Sequence, residues 1–156
     1  MRLTLHVDYA LRMLIYLAVR GTRPSTVNDV ARSYGISRNH LLKVALRLKE
    51  AGLIATSRGR SGGIRLAVAP ERINVGRIVR QFGDNVAPVV ECMRPDGRGC
   101  ILSPSCRLKA VAREALGAYL AVFDKYTLAD LVTNRAEVIY LLDGAAKSCD
   151  SRGEAA

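Results

Sequence analysis

Three of the four cysteines in the chain, Cys92, Cys100 and Cys106, fall within fifteen residues. Their surroundings are polar and rich in Gly and Pro (Glu91, Pro95, Asp96, Gly97, Gly99, Pro104), which describes a solvated loop rather than a packed core. Three thiols on one loop can converge on one metal centre. The spacing, Cys-x7-Cys-x5-Cys, is open. Structural zinc sites favour pairs two to four residues apart, and ferredoxins use tighter Cys-x-x-Cys runs. An open Gly-rich loop suits an iron–sulfur cluster first, a zinc or thiol switch second and inert thiols last. A cluster normally takes four protein ligands. Cys149 lies in a small, polar tail predicted to be disordered from Gly144 onward. The fourth ligand is therefore sought in a non-Cys group, a residue of a partner chain or a small molecule.

The elements around this loop decide what a metal centre there would control. Net charge is +10, and it is divided unevenly. Residues 1–80 hold 15 Lys/Arg and 4 Asp/Glu, whereas residues 81–156 hold 9 and 10. Such a basic half points to nucleic acid. No apolar run is long enough to cross a membrane and the N-terminus has no signal-peptide pattern, so a cytoplasmic protein with reduced thiols is expected.

Apolar spacing predicts a mainly α chain with a small β-hairpin. Asp8 to Arg20 reads as a helix with Ala10, Leu11, Leu14, Ile15 and Ala18 on one face and Asp8 at its cap. Thr26 with Asp29 opens a second helix, Gly35 permits a tight turn, and Ser37 caps a third. Leu41, Leu42, Ala45, Leu46 and Leu48 are expected to line the buried side of the third helix, which stops near Gly52. Leu53 to Ser57 and Ile64 to Val68 read as strands around Arg58-Gly59-Arg60-Ser61-Gly62-Gly63. A helix-turn-helix followed by a basic hairpin is a winged helix. Asn74 caps a fourth helix ended by Gly83. From Cys106 to about Tyr126 an apolar stripe runs over about five turns, more helix than a small winged domain needs, and it is expected to pack on a second copy. Thr127 to Val132 suggests one more short capped helix. The domains read as 1–83 winged helix-turn-helix, 84–106 cysteine loop, 107–143 dimerisation region and 144–156 tail.

A recognition helix presents its first residues to base edges. Here those are Ser37, Arg38, Asn39 and His40, where Arg can pair with guanine and Asn with adenine. Lys43 and Arg47 lie further along, at expected phosphate positions, and Arg58, Arg60 and Arg65 belong to the wing. No nucleophile–base pair, phosphate loop or paired carboxylates suggest an enzyme.

The whole pattern resembles the iron–sulfur winged-helix repressors, from Met1 to about Leu142. The resemblance is carried by Arg2-Leu3-Thr4 with Asp8-Tyr9-Ala10-Leu11-Arg12, by Gly35 to His40, by Arg58 to Leu66, by Ser103 to Lys109 and by Tyr126 to Val132. The last two segments are most similar to the family's nitric-oxide-sensing members. It implies a homodimer crossed through the long helix, with a [4Fe–4S] cluster, preferred over [2Fe–2S], on Cys92, Cys100 and Cys106. Asp8 matches the acidic residue near the N-terminus of the partner subunit that can supply the fourth ligand. Another branch uses a His three residues after the third Cys, where this chain has Lys109. The seven-residue gap between Cys92 and Cys100 is longer than usual for nitric-oxide sensors and is like the iron-responsive branch. The expected function is a repressor that releases operator DNA when nitric oxide nitrosylates the cluster. The alternatives are an iron-responsive repressor or a zinc or thiol switch.

Overall fold

The computed structural model describes residues 3–57, 62–83, 90–93 and 100–153. Six helices and one antiparallel hairpin follow the order α1 (Leu5–Arg20), α2 (Val27–Tyr34), α3 (Arg38–Glu50), β1 (Ile54–Ser57), β2 (Gly63–Leu66), α4 (Val75–Phe82), α5 (Arg107–Asp124) and α6 (Arg135–Gly153). The mainly α, winged-helix reading holds.

Helix α1 is the hub. Thr4, not Asp8, caps it, its hydroxyl accepting from Val7 N at 3.3 Å. Asp8 sits in the first turn and pairs with Arg12 Nε at 3.0 Å, one helical turn on. The helix buries Val7, Ala10, Met13, Leu14, Tyr16, Leu17 and Val19, while Leu11, Ile15 and Ala18 are only partly covered. A helix apolar on nearly every side belongs in a core, and α3, α4, β2 and α6 all pack on it.

Helix α2 opens with the full reciprocal cap: Thr26 N donates to Asp29 Oδ2 at 2.7 Å and Asp29 N to Thr26 Oγ1 at 3.1 Å. Gly35 then turns the chain at φ 62°, ψ 31°, a left-handed conformation that costs a side-chain-bearing residue dearly. The turn is sealed by Tyr34, whose phenol burial pushes up to about 12, with the Arg12 guanidinium 5.6 Å from its ring. Helix α3 buries Leu41, Val44, Ala45 and Leu48. Leu42 and Leu46, expected in the core, are exposed, because the buried stripe runs through Val44 rather than through them. In the hairpin Ile54 pairs with Leu66 and Ser57 with Gly63, and Ser25 adds a bridge to Ile64.

Helix α4 is capped by Asn74, as the sequence suggests, through Arg77 N at 3.0 Å. The same side chain donates from Nδ2 to Asp124 O at 2.8 Å and Tyr126 O at 3.3 Å, tying the end of α5 to the start of α4. Arg80 grips Asp124 with both guanidinium nitrogens, at 2.5 and 2.7 Å. That hydrogen-bonded grip holds the Asp124 carboxyl below the ordinary carboxylate range. Its contribution, present above that range, is lost only as pH falls through the lowered value. By helix rise, α5 spans about 27 Å and α4 about 12 Å. Joined at this end, α5 extends beyond α4; Leu120 and Phe123 pack partly buried against the core and Ala112 is buried. Leu108, Val111 and Val122 are exposed.

The chain beyond Gly144 corrects the expectation of a disordered tail, since α6 continues to Gly153. One internal Gly costs a helix about 1 kcal/mol relative to Ala, and the Ala145–Ala146 pair that follows is strongly helix-forming. Arg135 Nε donates to Val19 O at 2.8 Å, Arg20 pairs with Asp143, and Leu142 enters the core. Helix α6 thus closes over α1 and α2.

A methyl at Gly76 would lie 2.0 Å from Asp124 Oδ1 and 2.9 Å from its backbone N. Gly76→Ala is therefore expected to lower stability by about 1–3 kcal/mol in urea unfolding, against the helix propensity that favours Ala. A neutral or stabilising result would mean that the junction gives way without cost.

Candidate functional site

The basic surface is built on the start of α3 and on the wing. Ser37 occupies the cap position of α3 but makes no side-chain capping bond, and Ser37, Arg38, Asn39, His40 and Lys43 are all exposed. His40 lies against Tyr9 of α1, ring centroids 6.3 Å apart, which fixes the side of the helix it occupies. Arg65 is exposed on β2. Arg58 and Arg60 lie outside the described residues. Arg47, expected at a phosphate, is engaged within the fold. Its Nη2 donates to Gln81 O at 3.1 Å and its guanidinium lies 5.2 Å from the Phe82 ring, so it fastens α3 to α4. Sequence reasoning also missed Arg12, Arg20 and Arg80 as structural cations. Of these, only the Asp8–Arg12 spacing offered a local signal.

The arrangement suits duplex DNA. A helix end with exposed Arg and Asn can present donors and acceptors to major-groove base edges, and flanking cations can neutralise phosphates. Exposed Leu42 and Leu46 continue the outer surface of the same helix.

Of the cysteines, Cys106 stands at the start of α5, the end away from its junction with α4. Cys92 lies in a short 3-10 turn, Glu91–Met93, and is half-buried. Cys100 is exposed, and half-buried Cys106 occupies the cap position of α5 without making a side-chain capping bond. All three are free thiols. Ile101 and Leu102, between the last two, are exposed apolar residues at 93% and 65%. Asp8 is on α1, paired with Arg12. Cys149 falls on α6. Among the described residues no three His, Cys, Asp or Glu side chains are gathered so as to hold a metal ion. By donor chemistry, three accessible thiols on one loop fit an iron–sulfur centre, which binds through thiolates. Binding would require the loop to close around it.

The fold and exposed basic surface define a winged-helix DNA-binding regulator, not an enzyme. Comparison with known proteins gives its family: residues 3–134 match Rrf2, described as iron-dependent transcriptional regulators, and the chain belongs to it. It is 52% identical over 143 residues to the HTH-type transcriptional regulator NsrR of Halalkalibacterium halodurans, covering 91% of this chain and 97% of that one. It is 50% identical to the regulator of the same name from Bacillus subtilis, with the same coverage. Among solved structures, Staphylococcus aureus CymR aligns with a TM-score of 0.67 and 27% identity, covering 83% of this chain and 97% of CymR.

Two variants separate reading residues from fastening residues. Arg38→Ala is expected to cost about 1–3 kcal/mol of operator affinity and to relax base preference. Arg47→Ala is expected to lower stability and leave the salt dependence of binding unchanged. A fall of about one in the salt slope for Arg47→Ala would return it to the phosphates.

Proposed function

We propose that this protein is a homodimeric transcriptional repressor that holds an iron–sulfur cluster on Cys92, Cys100 and Cys106 and releases operator DNA in response to nitric oxide. The observation that carries the reading is the conjunction of three free thiols at or shortly before the start of α5 with about 50% identity, along 143 residues, to regulators named NsrR. The exposed stripe of Leu108, Val111 and Val122 supports pairing of α5 with a second copy, since large apolar side chains on one helix face gain from being covered. Asp8 of the partner subunit completes the ligand set, for which it must exchange Arg12 for the cluster.

The bound cluster supplies iron at which nitric oxide reacts; the chain's own residues do the rest. Cys106 fixes the loop to the start of α5, and Asn74 and Arg80 fix the other end of α5 to α4. A loosened loop therefore acts on the overhanging half of a helix whose base is held by the DNA-binding unit. Two recognition helices must meet half-sites about 34–36 Å apart, so a small rotation across the dimer misplaces one of them. The seven-residue Cys92–Cys100 gap favours a second reading, in which loss of the cluster under iron scarcity is the signal.

The test begins with anaerobic iron and sulfide content per chain. Holo-protein bound to operator DNA is then exposed to nitric oxide or to a chelator. Affinity is expected to fall tenfold or more with nitric oxide, and Cys92→Ala, Cys100→Ala and Cys106→Ala are expected to purify without sulfide. Response to chelator alone supports the iron-responsive reading, and colourless protein with zinc supports a thiol switch. Binding should also be steeply salt-dependent: with about six or more phosphate contacts per dimer, affinity falls at least about a thousandfold between 50 and 200 mM salt.

A further inference from the structure

Arg47 is the residue through which α3 reaches α4. Helix α3 packs on α1, α2 and β1, while α4 is not among its close-packed neighbours. The two helices instead face each other across a cleft of about 210 Å³ lined by Arg47, Glu50, Ala51, Gln81 and Phe82. Half-buried Arg47 crosses it. Its Nη2 donates to Gln81 O at 3.1 Å, a carbonyl in the last turn of α4 that no intrahelical amide can take. Its guanidinium lies 5.2 Å from the centroid of the Phe82 ring, a side chain only 1% exposed. The negative end of the α4 dipole favours a cation at the same place. Carbonyl, ring and dipole together fix Arg47 on the end of α4.

That end of α4 leads toward the cysteines, since Cys92 follows Phe82 by ten residues. Gly83 N closes the helix on Val79 O at 3.0 Å, and a methyl at Gly83 would lie 2.6 Å from Val79 O and 3.6 Å from Val7 Cγ2 of α1. The last turn of α4 is thus seated tightly, and packed interiors pass a displacement on rather than absorb it. On α3, Arg47 stands nine residues after Arg38, about 14 Å along the helix by its rise. We propose that Arg47 is the positioning residue that couples the cysteine segment to the recognition helix. A change at Cys92 displaces the last turn of α4, and Arg47 turns that displacement into a tilt of α3 on α1 and α2. The coupling rests on the reading of Cys92 as a cluster ligand, and it adds a route that does not pass through α5.

Full-length wild type, Arg47→Met and Arg47→Lys are loaded anaerobically, assayed for iron and sulfide, and titrated with operator DNA with and without the cluster. Wild type is expected to bind about tenfold tighter or more with the cluster. Arg47→Met is expected to keep its iron and sulfide but to bring that ratio below about threefold. Arg47→Lys, which can still donate to Gln81 O, is expected to fall between. Affinity lost equally from both states, with the ratio unchanged, marks a merely structural Arg47 and overturns the proposal. A second arm needs no cluster. Cluster-free protein is alkylated at its thiols with iodoacetamide, with Cys92→Ser as the control, and amide hydrogen exchange is followed in α3. Exchange there is expected to change about fivefold in wild type and by less than about twofold in Cys92→Ser and Arg47→Met. An equal change in wild type and Arg47→Met, or none in wild type, overturns the proposal. If wild type binds DNA alike with and without the cluster while alkylation still reaches α3 through Arg47, the cluster reading fails and the coupling stands. Circular dichroism identifies a variant that has not folded, and Arg47→Lys against wild type then decides both arms.

Discussion

One asparagine side chain joins the two halves of this protein. Asn74 begins α4 by accepting from Arg77 N and, through its amide nitrogen, donates to Asp124 O, the last carbonyl of α5, and to Tyr126 O just beyond it. Helix ends leave backbone groups without partners, so a residue that satisfies the start of one helix and the end of another removes two such debts with one side chain. The main chain follows: Val75 N donates to Tyr126 O at 3.0 Å and Leu128 N to Ile73 O at 2.8 Å. Arg80 and Asp124 close the same joint from the other side. Because Gly76 has no Cβ, the two helices approach closely enough for all of this to form. Fixed at this one end, α5 must project its cysteine-bearing end away from the winged domain.

That geometry explains why a wide apolar stripe on α5 remains exposed while α1 is buried nearly all round. The two helices have similar length, 16 and 18 residues, and both are rich in apolar side chains. What separates them is where the chain lets them go. Helix α1 lies under α3, α4, the hairpin and α6, whereas α5 meets chiefly α4, a helix less than half its length. Leu120 and Phe123 are partly covered near the end of α5 that joins α4, while Leu108 and Val111 toward its other end are exposed, large apolar side chains that gain from being covered.

Much of this was legible in residue order because its determinants are local. The caps at Thr26 with Asp29, Asn74, and Thr127 with Asp130 each depend on residues three apart, and all three form. The left-handed turn at Gly35 is equally local. Failures arose where partners are distant. Arg47 finds Gln81 and Phe82 thirty-four residues on, and nothing beside it in sequence distinguishes it from Lys43. Leu42 and Leu46 satisfy the same three-and-four spacing as Leu41 and Leu48, so spacing alone could not choose the phase of α3. At the C-terminus, composition misled because Arg135 and Asp143 gain their partners only when α6 folds back onto α1.

The charge division carries the same lesson to function. A net excess in residues 1–80 suggests a broad electropositive half, but the fold cancels part of it. Arg20 and Arg80 take Asp143 and Asp124 from the other half of the chain, Arg12 takes Asp8, and Arg47 turns inward to a carbonyl and a ring. Cations engaged this way give little to a DNA phosphate, since moving them would sacrifice a bond already made. Beside the start of α3 and on the described part of the wing, Arg38, Lys43 and Arg65 stay exposed. Reading DNA needs that restriction. Uniform positive charge attracts any duplex, and only cations held at fixed places beside Asn39 can tell one base edge from another. The acidic second half thus sharpens the basic first half, by consuming the arginines that hold the scaffold and leaving those that face outward.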